Sequence, residues 1–154
     1  MRLALYQPDI PQNAGAMLRL GACLGVAVDI VGPCGFVWSD RRLKRAGMDY
    51  LDRVDYRRHD AWEDFAAGCE GRLVLLTTTA DMAYTDFDYD RQDVLLVGRE
   101  SAGVPPEIAA AAAARVRIPM TPGTRSLNVA LAAAMVLGEA LRQTGAYPGG
   151  GGDE

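Results

Sequence analysis

The stretch RIPMTPGTRSLNVALAAAMVLGEALRQ, residues 117–143, changes character twice. An apolar strand-like run, Val116 to Met120, stops before Pro122, with the strand itself predicted over Val116 to Pro119. Pro122-Gly123-Thr124-Arg125-Ser126-Leu127-Asn128 then forms a compact polar turn. A long, almost uncharged helix follows, predicted over Ser126 to Gln143 and ended near Gly145 and Pro148. Between a buried strand and a buried helix, Arg125, Ser126 and Asn128 cost free energy unless each is paired. An N-cap role for Ser126 or Thr124 accounts for one residue of the group and leaves the others unexplained.

Outward from this stretch, strands alternate with helices. Leu3 to Tyr6 and Ala27 to Val31 read as strands, with a helix of 3.6-residue periodicity from Pro11 to Leu24 between them. Asp40 to Ala46 reads as a short basic helix, Leu51 to Tyr56 as an edge strand, and Ala61 to Ala67 as a helix closed near Gly68. Leu73 to Thr77 and Val94 to Val97 are continuous apolar runs, the pattern of parallel strands buried on both faces. Pro106 to Ala114 is an alanine-rich helix with proline in its first turn. The sum is an α/β fold, a mostly parallel sheet flanked by helices, in one domain over residues 1–148. Residues 149–154 are expected to be a disordered tail.

Composition narrows the function. The chain has 154 residues, 49% hydrophobic and 23% charged, which is ordinary for a globular domain. A net charge of -4 argues against non-specific coating of nucleic acid, but leaves room for a local basic patch. His59 is the only histidine, so neither a multi-histidine metal site nor a histidine triad is expected. Cys23, Cys34 and Cys69 have no C-x-x-C spacing and read as reduced thiols. No apolar run reaches the length of a membrane span and no leader is visible, so a cytoplasmic protein is expected.

In parallel sheets ligands bind at the carboxyl ends of the strands. That rule points to the loops Gln7–Gly15, Thr77–Ala83, Gly98–Pro105 and Met120–Asn128. None of them carries G-x-G-x-x-G or a P-loop, which removes the common dinucleotide and nucleoside-triphosphate folds. Polar residues cluster instead in N-A-G-A-M-L-R (13–19), where Asn13 also reads as a helix cap, and in G-R-E-S-A-G (98–103). Gly98 and Gly103 there would permit positive φ or close backbone approach to a ligand.

Together, N-A-G-A-M-L-R, L-L-V-G-R-E-S-A-G-V-P and R-I-P-M-T-P-G-T-R-S-L-N-V-A resemble the three signature motifs of the SPOUT superfamily of RNA 2'-O-ribose methyltransferases, in the family's order and spacing. YQPDIPQNAGAMLRL and GPCGFVWSDRRLKRAGMDY are similar to its minimal branch, tRNA methyltransferases that act on the wobble ribose (position 34) of leucine tRNAs. The resemblance covers residues 1–148. It implies a C-terminal deep trefoil knot, a homodimer, and S-adenosyl-L-methionine (AdoMet) as cofactor. By matching positions it implies a cofactor pocket of Leu76, Thr77, Gly98, Glu100, Ile118, Met120 and Ser126. It likewise implies a catalytic set of Asn13, Arg19, Glu100, Ser126 and Asn128. The residue after Gly98 is Arg99, where close relatives often have proline.

No metal is needed for such a transfer, in which positioning is the main lever. Arg19 is always charged, so it is expected to bind the phosphate beside the target ribose and stabilise the developing oxyanion, with Asn13 and Asn128 orienting it. The densest basic stretch, Arg41, Arg42, Lys44 and Arg45, and a second pair, Arg57 and Arg58, suit the phosphates of a tRNA anticodon loop or, alternatively, form solvated faces. Methylation of another tRNA or rRNA site, or a non-catalytic dimeric RNA-binding protein, are the competing readings.

Overall fold

The computed structural model describes residues 1–45 and 49–149. Among these, seven strands form one sheet: β1 (Arg2–Tyr6), β2 (Ala27–Val31), β3 (Tyr56–His59), β4 (Leu73–Leu76), β5 (Met82–Ala83), β6 (Val94–Val97) and β7 (Ala114–Arg117). Their spatial order is β3-β2-β1-β6-β4-β7-β5, and every pairing is parallel. The helices are α1 (Pro11–Leu24), α2 (Asp40–Arg45), α3 (Trp62–Ala67), α4 (Pro106–Ala111) and α5 (Val129–Thr144).

Successive strand residues point to opposite faces, so each continuous apolar run feeds two cores. Leu3, Leu5, Leu95 and Val97 pack with α1 and α5 on one face. Ala4, Tyr6, Leu96 and Leu75 pack with Phe65 of α3 and Ile108 of α4 on the other. On the first face α1 buries Ala14, Met17 and Leu18, and α5 buries Val136, Leu137, Ala140 and Leu141. Each large side chain so buried is worth about 1.5–3 kcal/mol. Gly21 lets α1 lie against β2: a Cβ there would stand 2.6 Å from Val28 Cγ2. Among the described strand residues, the charge that is buried is also compensated. Asp29, 3% exposed, accepts the Arg2 fork at 2.7 and 3.1 Å and contacts His59 Nε2 at 2.8 Å.

Four expected boundaries are corrected. The edge strand is Tyr56–His59, not Leu51–Tyr56; residues Asp49–Arg53 form a 3-10 helix that turns Leu51 inward. Helix α4 stops at Ala111, because Ala113 and Ala114 are claimed by pairing with β4. Strand β7 accordingly starts at Ala114 and ends at Arg117, earlier than the expected Val116–Pro119. Helix α5 starts at Val129, so Ser126 lies before it in the turn. The two-residue β5 carries no periodic signal and was not expected. Ala46 and residues 150–154, to which the end of the basic helix and most of the tail were assigned, lie outside the described residues.

Candidate active site

Strand order reverses between β1 and β6, the place where an open parallel sheet leaves a crevice at its carboxyl edge. The loops leaving these two strands meet there. Asp9, after β1, accepts from the backbone N–H of Glu100 at 3.2 Å and from the Ser101 hydroxyl, both after β6. Glu100 Oε1 accepts from Asn13 Nδ2 at 3.0 Å, and Asn13 Oδ1 accepts from Asn128 Nδ2 at 2.9 Å. Asn128 Oδ1 in turn accepts from the N–H groups of Ala130 and Leu131, at 2.9 and 3.3 Å. Asn128 is therefore the N-cap of α5, and neither Ser126 nor Thr124, the alternative cap candidates, fills that role. Asn13 does not cap α1; Ile10 occupies that position without a side-chain bond, and the Asn13 amide is spent across the crevice.

Beside this network lies a cavity of about 650 Å³. Its lining includes Leu76, Thr77, Gly98, Glu100, Ile118, Met120 and Ser126, together with Asn13 and Asn128. Four chain segments, far apart in sequence, thus converge on one space. Apolar walls from Leu76, Ile118, Met120 and Leu127 face a polar side made of Thr77, Ser126, Asn13, Asn128 and Glu100. That mixture suits a ligand with a flat apolar ring at one end and charged groups at the other. Gly98 serves the loop itself: a Cβ would stand 2.6 Å from the Gly103 carbonyl carbon, at the Arg99–Gly103 bridge. Gly103, at φ +61, supplies the left-handed turn that closes this lip. The Thr121–Asn128 turn is exposed, so the desolvation cost expected for Arg125, Ser126 and Asn128 does not arise.

Residues 1–138 match the SpoU rRNA Methylase family. The chain belongs to this family. A tRNA (cytidine(34)-2'-O)-methyltransferase of Beijerinckia indica subsp. indica is 62% identical over 147 residues, covering 94% of this chain and 92% of the relative. A solved structure concerned with 2-OH methylation of C/U34 on tRNA has a TM-score of 0.84 at 39% identity, covering 92% of this chain and 89% of that one. The AdoMet-bound rRNA methyltransferase from Sinorhizobium meliloti has a TM-score of 0.81 at 31% identity, covering 92% of this chain and 55% of that one.

Against the SpoU pattern, one member of the expected set stands apart. Arg19 is exposed, packs over the Tyr50 ring at 5.9 Å, and does not line the cavity. Six residues along α1 separate it from Asn13, about 9 Å at the helical rise.

The six basic residues also lie away from the cavity, at the β3 edge. Three strand spacings, roughly 14 Å, separate β3 from β6. Arg41, Arg42, Lys44 and Arg45 are exposed on α2, and Arg57 and Arg58 are exposed on β3. The two clusters share one surface, because Tyr56 donates to Asp40 at 3.0 Å and Arg58 stacks over Trp38 at 5.1 Å. Lys44 is already paired with Asp52 at 2.9 Å, leaving the arginines as the freer cations of the stretch.

Sequence reasoning missed several cavity residues. Thr78, Thr79, Arg115 and Leu127 line it; the loop rule pointed toward Thr78, Thr79 and Leu127 but not toward Arg115. Arg99 lines it as well, held by a bond from its Nε to the Gly103 carbonyl and by the Tyr6 ring at 5.5 Å. The guanidinium thereby braces its own loop.

Among the described residues no group of three His, Cys, Asp or Glu side chains is arranged to hold a metal ion, and no helix is long and apolar enough to cross a membrane. Cys23, Cys34 and Cys69 are free thiols.

Proposed function

We propose that this protein is a cytoplasmic, AdoMet-dependent methyltransferase acting on the ribose 2'-oxygen of the wobble nucleotide, position 34, of leucine tRNAs. The observation that carries the reading is the convergence of Asn13, Glu100, Ser126 and Asn128 on one cavity, in a chain that shares 62% identity with a tRNA (cytidine(34)-2'-O)-methyltransferase. AdoMet, when bound, supplies a methyl group made electrophilic by its sulfonium. The chain's own residues hold and orient. Leu76, Ile118 and Met120 would take the adenine, while Thr77, Ser126 and the backbone about Gly98 and Glu100 would take its polar groups. Asn13 and Asn128 fix the floor of the site, and Arg19 grips the phosphate beside the target ribose and stabilises charge developing on its oxygen.

The reading includes a single domain whose C-terminal part is threaded as a trefoil knot, and a homodimer. Two observations favour the dimer. Leu131 and Met135 of α5 stand 62% and 42% exposed, an apolar face without a partner in the described chain. Arg19 misses the cavity of its own chain, so a second copy is the natural source of the guanidinium. The basic surface at the β3 edge would grip the anticodon arm.

The test is incubation of the purified protein with methyl-labelled AdoMet and unmethylated leucine tRNA, followed by mapping of the labelled nucleotide. Label on the wobble 2'-oxygen is expected. Cofactor binding without label would move the substrate elsewhere among RNAs; neither binding nor label would end the methyltransferase reading.

A further inference from the structure

Asp9 belongs to none of the groups assigned so far, yet it is held from every side. Gln7, two residues before it, takes the left-handed conformation at φ 43, uncommon for a residue with a side chain. Gly35 approaches so closely that a Cβ there would meet Asp9 Cβ at 2.7 Å. Both oxygens of Asp9 are engaged from the opposite loop, by the Glu100 N–H and the Ser101 hydroxyl. Beyond them lies an anomaly. Glu100 Oε1 receives the Asn13 amide, but Oε2 is buried and has no donor among the described residues. A buried carboxylate oxygen without a donor is expensive, whereas a protonated one becomes a donor itself.

We propose that Asp9 is a positioning residue of the methyl-transfer site: its carboxylate and Glu100 share one proton, carried on Glu100 Oε2. The proton gives the network one direction. Glu100 donates to Asp9 and accepts from Asn13; Asn13 accepts from Asn128; Asn128 accepts from the first turn of α5. Both loops of the β1–β6 crevice and the start of α5 are thereby locked in one register beside the cavity. The titration of the two groups agrees. Burial first, and then the bond to Asp9, raise Glu100 above the usual carboxylate range. The bond from Glu100 first, aided by the Ser101 hydroxyl, holds Asp9 well below it. Two carboxyls so placed titrate as one pair. The other groups facing Glu100 are neutral: Asn13 from α1, Ser101 from its own loop and, one link on, Asn128. The remaining charged residues of the cavity lining are Arg99, which is bound to Gly103, and Arg115 of β7.

The proposal uses the cofactor reading for one arm of its test only. Thermal midpoint without ligand, and AdoMet affinity by calorimetry, are measured from about pH 4 to about pH 9 for the wild type, D9N and E100Q. The folded wild type keeps a proton that the unfolded chain has released, so the thermal midpoint should fall as pH rises through the pair's second ionisation; AdoMet affinity should fall over the same range, because the deprotonated pair no longer holds the register beside the cavity. The affinity loses at most about tenfold per pH unit, the limit for one linked proton. E100Q carries a permanent amide donor toward Asp9 and should lack this limb in both measurements. D9N removes the like charge and should shift the limb toward acid. A flat wild-type profile, or a limb unchanged in E100Q, overturns the shared proton. If E100Q does not fold, an unchanged limb in D9N overturns it equally. A limb in the midpoint with none in AdoMet affinity would make the pair structural and overturn the positioning role; the thermal arm stands whatever RNA proves to be the substrate.

Discussion

Asn128 Nδ2 donates to Asn13 Oδ1 at 2.9 Å, joining the first turn of α1 to the residue that caps α5. One side chain therefore serves two purposes, and substitutions separate them. Asn128→Ala loses both the cap and the link, and should cost about 0.5–2 kcal/mol of stability along with cofactor affinity. Asn128→Asp keeps an acceptor for the N–H groups of Ala130 and Leu131 and adds negative charge at a helix N-terminus, which is favourable. It sets an acceptor against Asn13 Oδ1, however. The expected outcome is wild-type stability by thermal melting with weakened AdoMet binding by calorimetry; equal binding would mean the Asn13 link is idle.

Arg19 offers a genetic test of subunit exchange. If two copies pair as proposed, R19A alone and N13A alone should each be inactive in methyl transfer. Mixed dimers would contain one site with an intact Asn13 from one chain and an intact Arg19 from the other. Random mixing should then restore about a quarter of wild-type activity, half the dimers having one good site of two. If Arg19 serves its own chain, mixing restores nothing.

The arginines of α2 should govern RNA affinity alone. Replacing Arg41, Arg42 and Arg45 with alanine should weaken tRNA binding and flatten its salt dependence by up to about 2 in log–log slope, taking three contacts to single-stranded phosphates. AdoMet affinity should not change, because none of the three lines the cavity. Lys44→Ala should have a smaller effect, since Asp52 already engages that charge. An unaltered salt slope in the triple variant would place the RNA on another surface.

Tyr89 predicts an alkaline limit to stability. It is buried, its hydroxyl donates to the Tyr84 carbonyl at 2.8 Å, and burial, followed by the charge of Glu139, raises its pKa. The unfolded chain loses this proton near pH ~10, whereas the folded one retains it to higher pH. The stabilisation is thus complete below about pH 10 and is lost as pH rises beyond it. Tyr89→Phe should lower stability by about 0.5–1.5 kcal/mol at neutral pH and make the alkaline decline shallower. Melting curves from about pH 8 to about pH 11 would show both; an unchanged alkaline limb would assign it to another group.

Much of this architecture could be read from apolar spacing. Helix α1 and strand β2 have the bounds predicted for them, and β6 emerges from a continuous apolar run as a sheet buried on both faces requires. The failures share a cause. Leu51 and Val54 suggest a strand by their apolar character, yet Leu51 sits in the 3-10 turn Asp49–Arg53, Val54 follows directly after it, and both side chains are buried. The true edge strand, Tyr56-Arg57-Arg58-His59, is polar because its outer side meets water, and it carries no apolar signal at all. The alanines after Pro106 favour helix everywhere, so only pairing with β4 decides where α4 ends. In the site, the family resemblance pointed to Asn13, Glu100 and Asn128, but not to which would bond to which. Asp9 escaped notice because a carboxylate in a loop looks like solvent chemistry until the opposite loop closes on it.

The link between Asn13 and Asn128 also sets a timetable. The two are separated by 115 positions, and a ribosome adding about 5–20 residues per second needs roughly 6 to 23 seconds to cover them. Over that interval the nascent chain carries the inner side of α1, with Met17 and Leu18, uncovered by Val136, Leu137 and Leu141. Such a chain exposes an apolar face and lacks the α5 side of the pocket. The cavity is completed late, when the last helix emerges and its cap finds an asparagine translated 115 positions earlier.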